Sequence, residues 1–458
     1  MTATRRLGAA AGDARHEEAA SGPGRRTEGE AQCESCGLVH AVPVERVVLG
    51  PDAPEELGRF VDAKRWRRVL VVEDANTAEV LGDVVCADLA AAGHVVAVQR
   101  FSERSGLLAD EDAVGSVRDA VASGRPDVLL AVGSGVLTDV TRYASFLARR
   151  PFVSVPTAPS MDGYASSVAA MQFDGVKVTL PSQAPLGVFA DLSVVARAPK
   201  EMILSGFGDL AGKASARFDW ELSARVAGEP FCEAIAERIA SPLERCVEGA
   251  GSMLAGGADG IASLTRGLVE SGMAMSMMGS SRPASGCEHH ASHFLDLLAF
   301  RGLRPHAPHG LQVGYATRVA LGIQRRSIEM LGEPLVQPAG SGGGDEERTW
   351  FGEHLLALGP VRDEKQVWFA EHADGWPPGA EQVLAARERL SGVCSRFSPV
   401  DRALSGAGVP DGPGYLDVDR AMLRATFRYA NRLRSRFTVL DLLECQGRLD
   451  EVLDSLLA

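Results

Sequence analysis

Between Val44 and about Ser205, short unbroken apolar runs alternate with Ala-rich stretches in which apolar residues recur every three or four positions. Arg68-Val-Leu-Val-Val72 and Asp127-Val-Leu-Leu-Ala-Val132 lack polar alternation, so they predict strands buried on both faces, the habit of a parallel sheet. His94–Gln99 and Phe152–Val155 read as further strands, with helices over Thr77–Ala92 and from about Leu137 to Leu147. Strand and helix in alternation predict an α/β domain with a parallel sheet over 33–205. After Gly208 the pattern changes. Glu233–Leu254, Gly260–Met278, Ala316–Leu331, Glu381–Phe397, Asp419–Leu433 and Thr438–Leu457 show a helical period and few β-branched runs. We expect an all-α domain over 206–458, interrupted by a flexible Gly-rich insertion at about 338–347.

The 458 residues are 45% hydrophobic and 23% charged, a composition that folds rather than stays disordered. Residues 1–32 are the exception: rich in Ala, Gly, Arg and Glu and without the apolar segment of a signal peptide, they read as a disordered N-terminal extension. A net charge of −13 argues against nucleic acid or an acidic membrane as partner. A small anionic substrate stays compatible, because a few local cations or helix N-termini suffice for one phosphate. No apolar run is long enough to span a membrane. The eight Cys are scattered and read as reduced thiols of a cytoplasmic protein. Cys33-Glu-Ser-Cys36-Gly37, followed by His40, resembles half of a zinc knuckle whose second pair is missing; an ordered lead-in carrying thiols is the reading we adopt.

Three stretches carry chemistry. Gly133-Ser134-Gly135-Val136-Leu137 follows a strand and opens a helix, where small residues admit a phosphate to the helix amides. It is neither a Rossmann G-x-G-x-x-G nor a Walker A loop, and a tight turn alone explains it equally well; Asp139 there suits a helix-dipole partner. Ser154–Ser166 ends a strand in a loop crowded with hydroxyls, suited to a ribose or pyrophosphate, with Asp162 suited to a substrate hydroxyl; the alternative is a rigid turn with helix caps. Third, five of the ten His lie between His289 and His309. His289 and His293 are four apart, hence on one helical face, while His290 is rotated away and His309-Gly310 begins a second helix. Imidazoles suit Zn, Ni or Fe. Asp209, at the start of another helix, offers a carboxylate, and Lys213 one turn on suits an anionic substrate. A histidine cluster without a metal remains the alternative.

Together these segments resemble the sn-glycerol-1-phosphate dehydrogenase family in its bacterial AraM-like branch, within the dehydroquinate synthase-like and iron-containing alcohol dehydrogenase-like superfamily. The resemblance runs from about Cys33 to at least Gly314 and rests on Ser154–Ser166, Gly206–Lys213 and Ser281–Phe294. It implies a metal held by Asp209, His289 and His309, with Asp209 and His293 catalytic, and with Asp162, Asp209 and His293 on the substrate, beside the Lys213 that helical spacing already places there. It implies a dinucleotide held by Gly133, Ser134, Gly135, Val136 and Leu137 and by Thr157, Ala158, Pro159, Ser160 and Ser166, with Asp74 at the adenosine ribose. The implied activity is hydride transfer between NAD(P)H and dihydroxyacetone phosphate, giving sn-glycerol 1-phosphate, with a divalent Ni, Zn or Fe. Arg100 and Arg104 after the second strand suit a 2′-phosphate, whereas the acidic Glu73-Asp74 after the first suits an unphosphorylated ribose, and NAD is the cofactor we prefer. The implied assembly is a homo-oligomer, dimer or larger. The same chemistry on another small polyol or phosphonate, or a dehydroquinate synthase-like cyclase reaction, are the alternatives. Arg301–Pro308 lengthens the rim between the two ligand histidines relative to archaeal members.

Overall fold

The apolar runs form strands, and the computed structural model describes them within residues 32–41, 43–173, 176–254, 256–340, 344–409 and 413–457. The strands are β1 (Arg46–Leu49), β2 (Arg68–Asp74), β3 (Val95–Phe101), β4 (Val128–Gly133), β5 (Phe152–Pro156), β6 (Val168–Phe173), β7 (Val176–Pro181) and β8 (Gly187–Ala190). Six of them build one sheet in the order β1-β8-β5-β4-β2-β3, parallel throughout, and β6 pairs antiparallel with β7 apart from it. Successive side chains of a strand point to opposite faces. Accordingly Val69 and Val71 pack with Leu57 and Val85 on one side, while Leu70 and Val72 pack with Val117 and Val140 on the other. Burying each such side chain contributes about 1.5–3 kcal/mol, which is why an apolar run without alternation settles in the middle of a sheet. The covering helices are α1 (Ala53–Ala63) and α2 (Asp83–Ala91) on one face, α3 (Glu111–Gly124) and α4 (Gly135–Leu147) on the other.

β2 leads outward to β3, whereas β4 leads the opposite way to β5. The connections therefore diverge at the carboxyl ends of β2 and β4, and such a switch point opens the crevice in which open α/β sheets take ligands. The second half is helical, led by α5 (Lys200–Val226), α6 (Glu233–Glu248), α7 (Ala258–Met278), α8 (Cys287–Phe300) and α9 (His309–Met330) around a core that includes Phe207, Leu210, Leu264, Phe294, Leu311 and Ile323. Among the described residues no helix is long and apolar enough to cross a membrane.

Several boundaries differ from the sequence reading. The break placed at 205/206 falls inside α5, which begins at Lys200 after Pro199, so Gly206 and Gly208 are interior helix residues and not its start. Tertiary packing overrides their poor helix propensity. The helix read over 77–92 is a capped turn, a π-helical turn over Ala78–Gly82 and then α2. Residues 1–31 and 341–343 of the expected extension and insertion lie outside the described residues. The flanks of the insertion are anchored: Gly340 N–H donates to Glu444 (3.0 Å), and the helix Gly344–Phe351 carries Glu347, buried against Arg432 at 2.9 Å.

Candidate functional site

α5 and α9 lie against each other at glycines. A Cβ on Gly208 would stand 2.1 Å from the Gly310 carbonyl, and one on Gly310 would stand 1.8 Å from the Ser205 carbonyl. Only bare backbone permits that approach, and it brings Asp209, next to Gly208, beside His309, next to Gly310. α8 supplies the third group. His289 and His293, one helical turn apart, both face this point, and their ring centroids lie 5.3 and 5.9 Å from that of His309. One ligand atom each from Asp209, His289 and His309 fall within 4.8 Å of one another. One hard carboxylate oxygen and two borderline imidazoles make three donors, the number a catalytic divalent metal takes from protein while keeping a position open.

The surroundings orient these donors. His289 Nδ1 donates to Glu288 Oε1 (2.7 Å), which turns Nε2 toward Asp209 Oδ1 at 3.4 Å. His309 Nδ1 is met by Ser292 Oγ (3.0 Å) and Lys177 Nζ (3.3 Å), leaving Nε2 for the shared space. Buried carboxylates behind ligand imidazoles fix tautomer and ring orientation. Burial opposes ionisation of Asp209, yet Lys213 and His289 hold its carboxyl well below the usual range. Burial, followed by Lys177, keeps His309 well below the usual imidazole value, and burial with Arg434 does the same for His293, so both rings are neutral. These residues fit a divalent cation.

Asp162 ties the loop after β5 to this centre. Its N–H donates to Asp209 Oδ2 (2.9 Å), and its carboxylate accepts from Ser271 Oγ of α7 (2.8 Å) and Lys213 Nζ (2.9 Å). Burial, with the Asp209 charge next to it, pushes the Asp162 carboxyl up. Lys213 departs from the sequence reading: its ammonium is fully buried between Asp209 Oδ1 (2.7 Å) and Asp162, behind the carboxylates, because two buried anions need a counter-charge. The cations that border the histidines are instead Lys177, on the β6–β7 hairpin, and Arg434, whose Nη2 lies 3.2 Å from His293 Nδ1. Sequence reasoning missed both, along with Ser271, since each comes from a distant element; it also passed over Ser292, which stands next to His293 on α8 itself. Glu288 was visible as the immediate neighbour of His289.

At the switch point, β4 ends at Gly133 and α4 begins at Gly135, with no capping bond from the Ser134 side chain. The first-turn amides of a helix have no intrahelical partner. A Cβ on Gly133 would meet Leu137 at 2.3 Å, which accounts for one glycine by packing alone. Thr157 N–H donates to Gly133 O (3.2 Å), joining the two loops, and Tyr164 holds the second by bonds to Ser160 and to the Ala158 carbonyl. α5 closes on that loop at Gly206, where a Cβ would stand 1.7 Å from the Pro159 carbonyl. Asp139 pairs with buried Arg142, and burial pushes its carboxyl up to about 6. Two expected cofactor residues have other occupations. The Asp74 carboxylate caps Asn76 and Thr77 (2.9 and 2.8 Å). Ser166 is buried and its Oγ accepts from Val168 N–H (3.1 Å). A short polar side chain that follows a strand readily serves a local cap instead. His290 is buried by packing and His306 is exposed, neither in the site.

Comparison with known proteins bears on the fold and the family. The family model for iron-containing alcohol dehydrogenase matches residues 48–199. The solved structures of butanol dehydrogenase A from Thermotoga maritima (TM-score 0.60, 14% identity, 92% of this chain and 98% of that one) and glycerol dehydrogenase from Schizosaccharomyces pombe (TM-score 0.56, 17% identity, 94% and 93%) share the fold. Proteins named glycerol-1-phosphate dehydrogenase (NAD(P)+) are similar in sequence. That of Halalkalibacterium halodurans is 39% identical over 315 residues, 67% of this chain and 78% of its own length. That of Geobacillus stearothermophilus is 33% identical over 414 residues, 89% and 94%. Such identity over so much of both chains settles the kinship: the chain belongs to the glycerol-1-phosphate dehydrogenase family.

Proposed function

We propose that the chain is a metal-dependent, NAD(P)-linked dehydrogenase that interconverts dihydroxyacetone phosphate and sn-glycerol 1-phosphate. The observation that carries the reading is the triad Asp209, His289 and His309 within 4.8 Å, bordered by the cations Lys177 and Arg434. In a chain of net charge −13, two cations beside neutral imidazoles are what a phosphorylated substrate requires.

Asp209, His289 and His309 would hold the metal, which supplies a Lewis acid for charge developing on the C2 oxygen, while the nicotinamide supplies the hydride. Lys177 and Arg434 hold the phosphate. His293 accepts from Arg434 at Nδ1, so its proton resides on Nε2, where it serves as hydrogen-bond donor and proton relay to the substrate oxygen. Asp162 receives a substrate hydroxyl and Lys213 offsets the charge of the two carboxylates. The amides of Gly135, Val136 and Leu137 take the pyrophosphate, and Thr157–Ser160 line the rest of the dinucleotide. Arg100 is bound to Glu73 (2.6 Å) and Asp83, and Arg104 to Glu79, so neither is poised for a 2′-phosphate, in keeping with NAD as the preferred cofactor. Eight unbridged cysteines accord with the reducing cytoplasm.

The test is spectrophotometric. Purified protein receives dihydroxyacetone phosphate with NADH, then NADPH, before and after chelation and re-addition of Ni²⁺, Zn²⁺ or Fe²⁺. Oxidation that vanishes on chelation, returns with metal and yields sn-glycerol 1-phosphate is expected. Metal binding without consumption of either cofactor would refute the substrate assignment.

A further inference from the structure

The catalytic centre leaves the thiols of Cys33 and Cys36 unused, and the structure does not leave them alone. Gly37 N–H and Cys36 N–H both donate to the Cys33 carbonyl (2.7 and 3.3 Å), and Cys33 N–H donates to Leu38 O (2.8 Å). Gly37 sits at φ +71°, a left-handed position that closes this tight turn and that glycine adopts freely. Four residues past Cys36, His40 Nε2 lies 3.1 Å from the Cys36 Sγ. The missing ligand comes from the other half of the chain: Cys232, the fully buried residue before α6, places its Sγ 3.7 Å from the Cys33 Sγ. The four donor atoms of Cys33, Cys36, His40 and Cys232 all lie within 4.8 Å of one another.

We propose that Cys33, Cys36, His40 and Cys232 form a second, structural metal site of closed Cys₃His type that binds Zn²⁺ and clamps the segment before β1 to the helical half. Three thiols and one imidazole are a soft donor set that selects zinc, and four protein ligands leave no open position for substrate. Tetrahedral coordination with Zn–S bonds of about 2.3 Å puts the sulfurs roughly 3.8 Å apart, against 3.7 Å here, whereas a disulfide requires about 2.05 Å. His40 Nδ1 lies 3.0 Å from the Met277 carbonyl, which takes the Nδ1 proton and turns the Nε2 lone pair toward the thiols. The wall is apolar: Trp220, Ile235, Phe231, Met277 and Met278 pack around the cysteines. The segment 33–40 brings little apolar surface of its own, and a metal cross-link between residues 199 apart in sequence gives it a fixed seat.

Cobalt in place of zinc tests this on the intact wild-type chain, since the catalytic site offers no thiolate. The expected result is the thiolate-to-cobalt charge-transfer absorption with the intense visible bands of a tetrahedral centre. In an H289A/H309A background, one equivalent of zinc per chain is expected to remain and to be released by a mercurial that titrates thiols. Cys36→Ser with Cys232→Ser removes that equivalent and the cobalt spectrum, and lowers the melting temperature. Three results would each overturn the proposal: cobalt loading without thiolate bands, zinc content unaltered by the double substitution, or a Cys33–Cys232 disulfide in the unreduced purified protein.

Discussion

Substituting Gly208 by Ala tests whether helix approach sets the metal site. The added Cβ would stand 2.1 Å from the Gly310 carbonyl oxygen and 3.2 Å from the Gly314 Cα, both of them backbone that no rotamer change can move aside. Restoring ordinary contact requires α5 and α9 to part by about 1 Å. Asp209 and His309 flank the clash directly, so the parting falls on the proposed ligand pair. Metal centres tolerate roughly 0.2 Å in ligand distance, and a misplacement of about 1 Å at a reacting centre costs on the order of 100-fold. The overpacking itself costs about 1–3 kcal/mol, well within the stability of a typical folded domain. G208A is therefore expected to fold, to hold substoichiometric metal and to lose about 100-fold in kcat/KM for dihydroxyacetone phosphate. G392A is the control: nothing lies within 4 Å of its added Cβ in the helix Ala380–Arg396, so it should gain about 0.5–1 kcal/mol and keep its activity. A G208A protein with full metal content and wild-type kcat/KM would refute the reasoning.

Two further outcomes follow from named contacts. Arg434→Gln removes the proposed charge-assisted partner of the phosphate, so steady-state kinetics should show KM for dihydroxyacetone phosphate raised about 10- to 100-fold, with a much smaller change for unphosphorylated dihydroxyacetone. Glu444 predicts a pH dependence: burial opposes its ionisation, yet Arg432 (2.6 Å) and Arg428 (2.8 Å) hold its carboxyl down from 4.5 to about 2. A depressed carboxylate stabilises the folded chain above its unfolded value, here by about 3 kcal/mol at neutral pH, and the gain fades as pH falls from 4.5 through about 2. Urea midpoints should therefore place E444Q below wild type at pH 7, with the gap narrowing toward pH 3; a constant gap would contradict the assignment.

The parts of the fold legible in the sequence are those where one requirement dominates. Val69–Val72 and Val128–Val132 have no polar side to show to water, so only a doubly covered strand accepts them. His289 and His293 declare their shared face through spacing alone. What stayed hidden depends on neighbours remote in sequence. The short edge strand β1 exists only because β8 offers it a ladder. The α3 segment, with Gly115 among β-branched valines, is a weak helix in isolation and is held by the sheet beneath it. The hairpin bearing Lys177 had a local signal, Asp174-Gly175 between two apolar runs, but nothing that tied it to His309. Asp74 and Ser166 show the opposite failure. Their residue types suited a ribose or pyrophosphate, and the backbone beside them claimed both side chains first.

The loop after β5 has one more consequence. Residues 157–160 of that loop are those proposed to line the dinucleotide, and two residues on, the Asp162 amide donates to the carboxylate of Asp209. α7 grips the same loop through Ser271 and through Ser276, whose hydroxyl donates to the Ala165 carbonyl (2.8 Å). Two ligands that order one short stretch of backbone share its ordering free energy, so the second to arrive finds it already in place. Such coupling is reciprocal. By whatever factor the proposed metal tightens the affinity for dinucleotide, dinucleotide tightens the affinity for metal equally, so abundant NAD(P) would protect the metal against competing chelators.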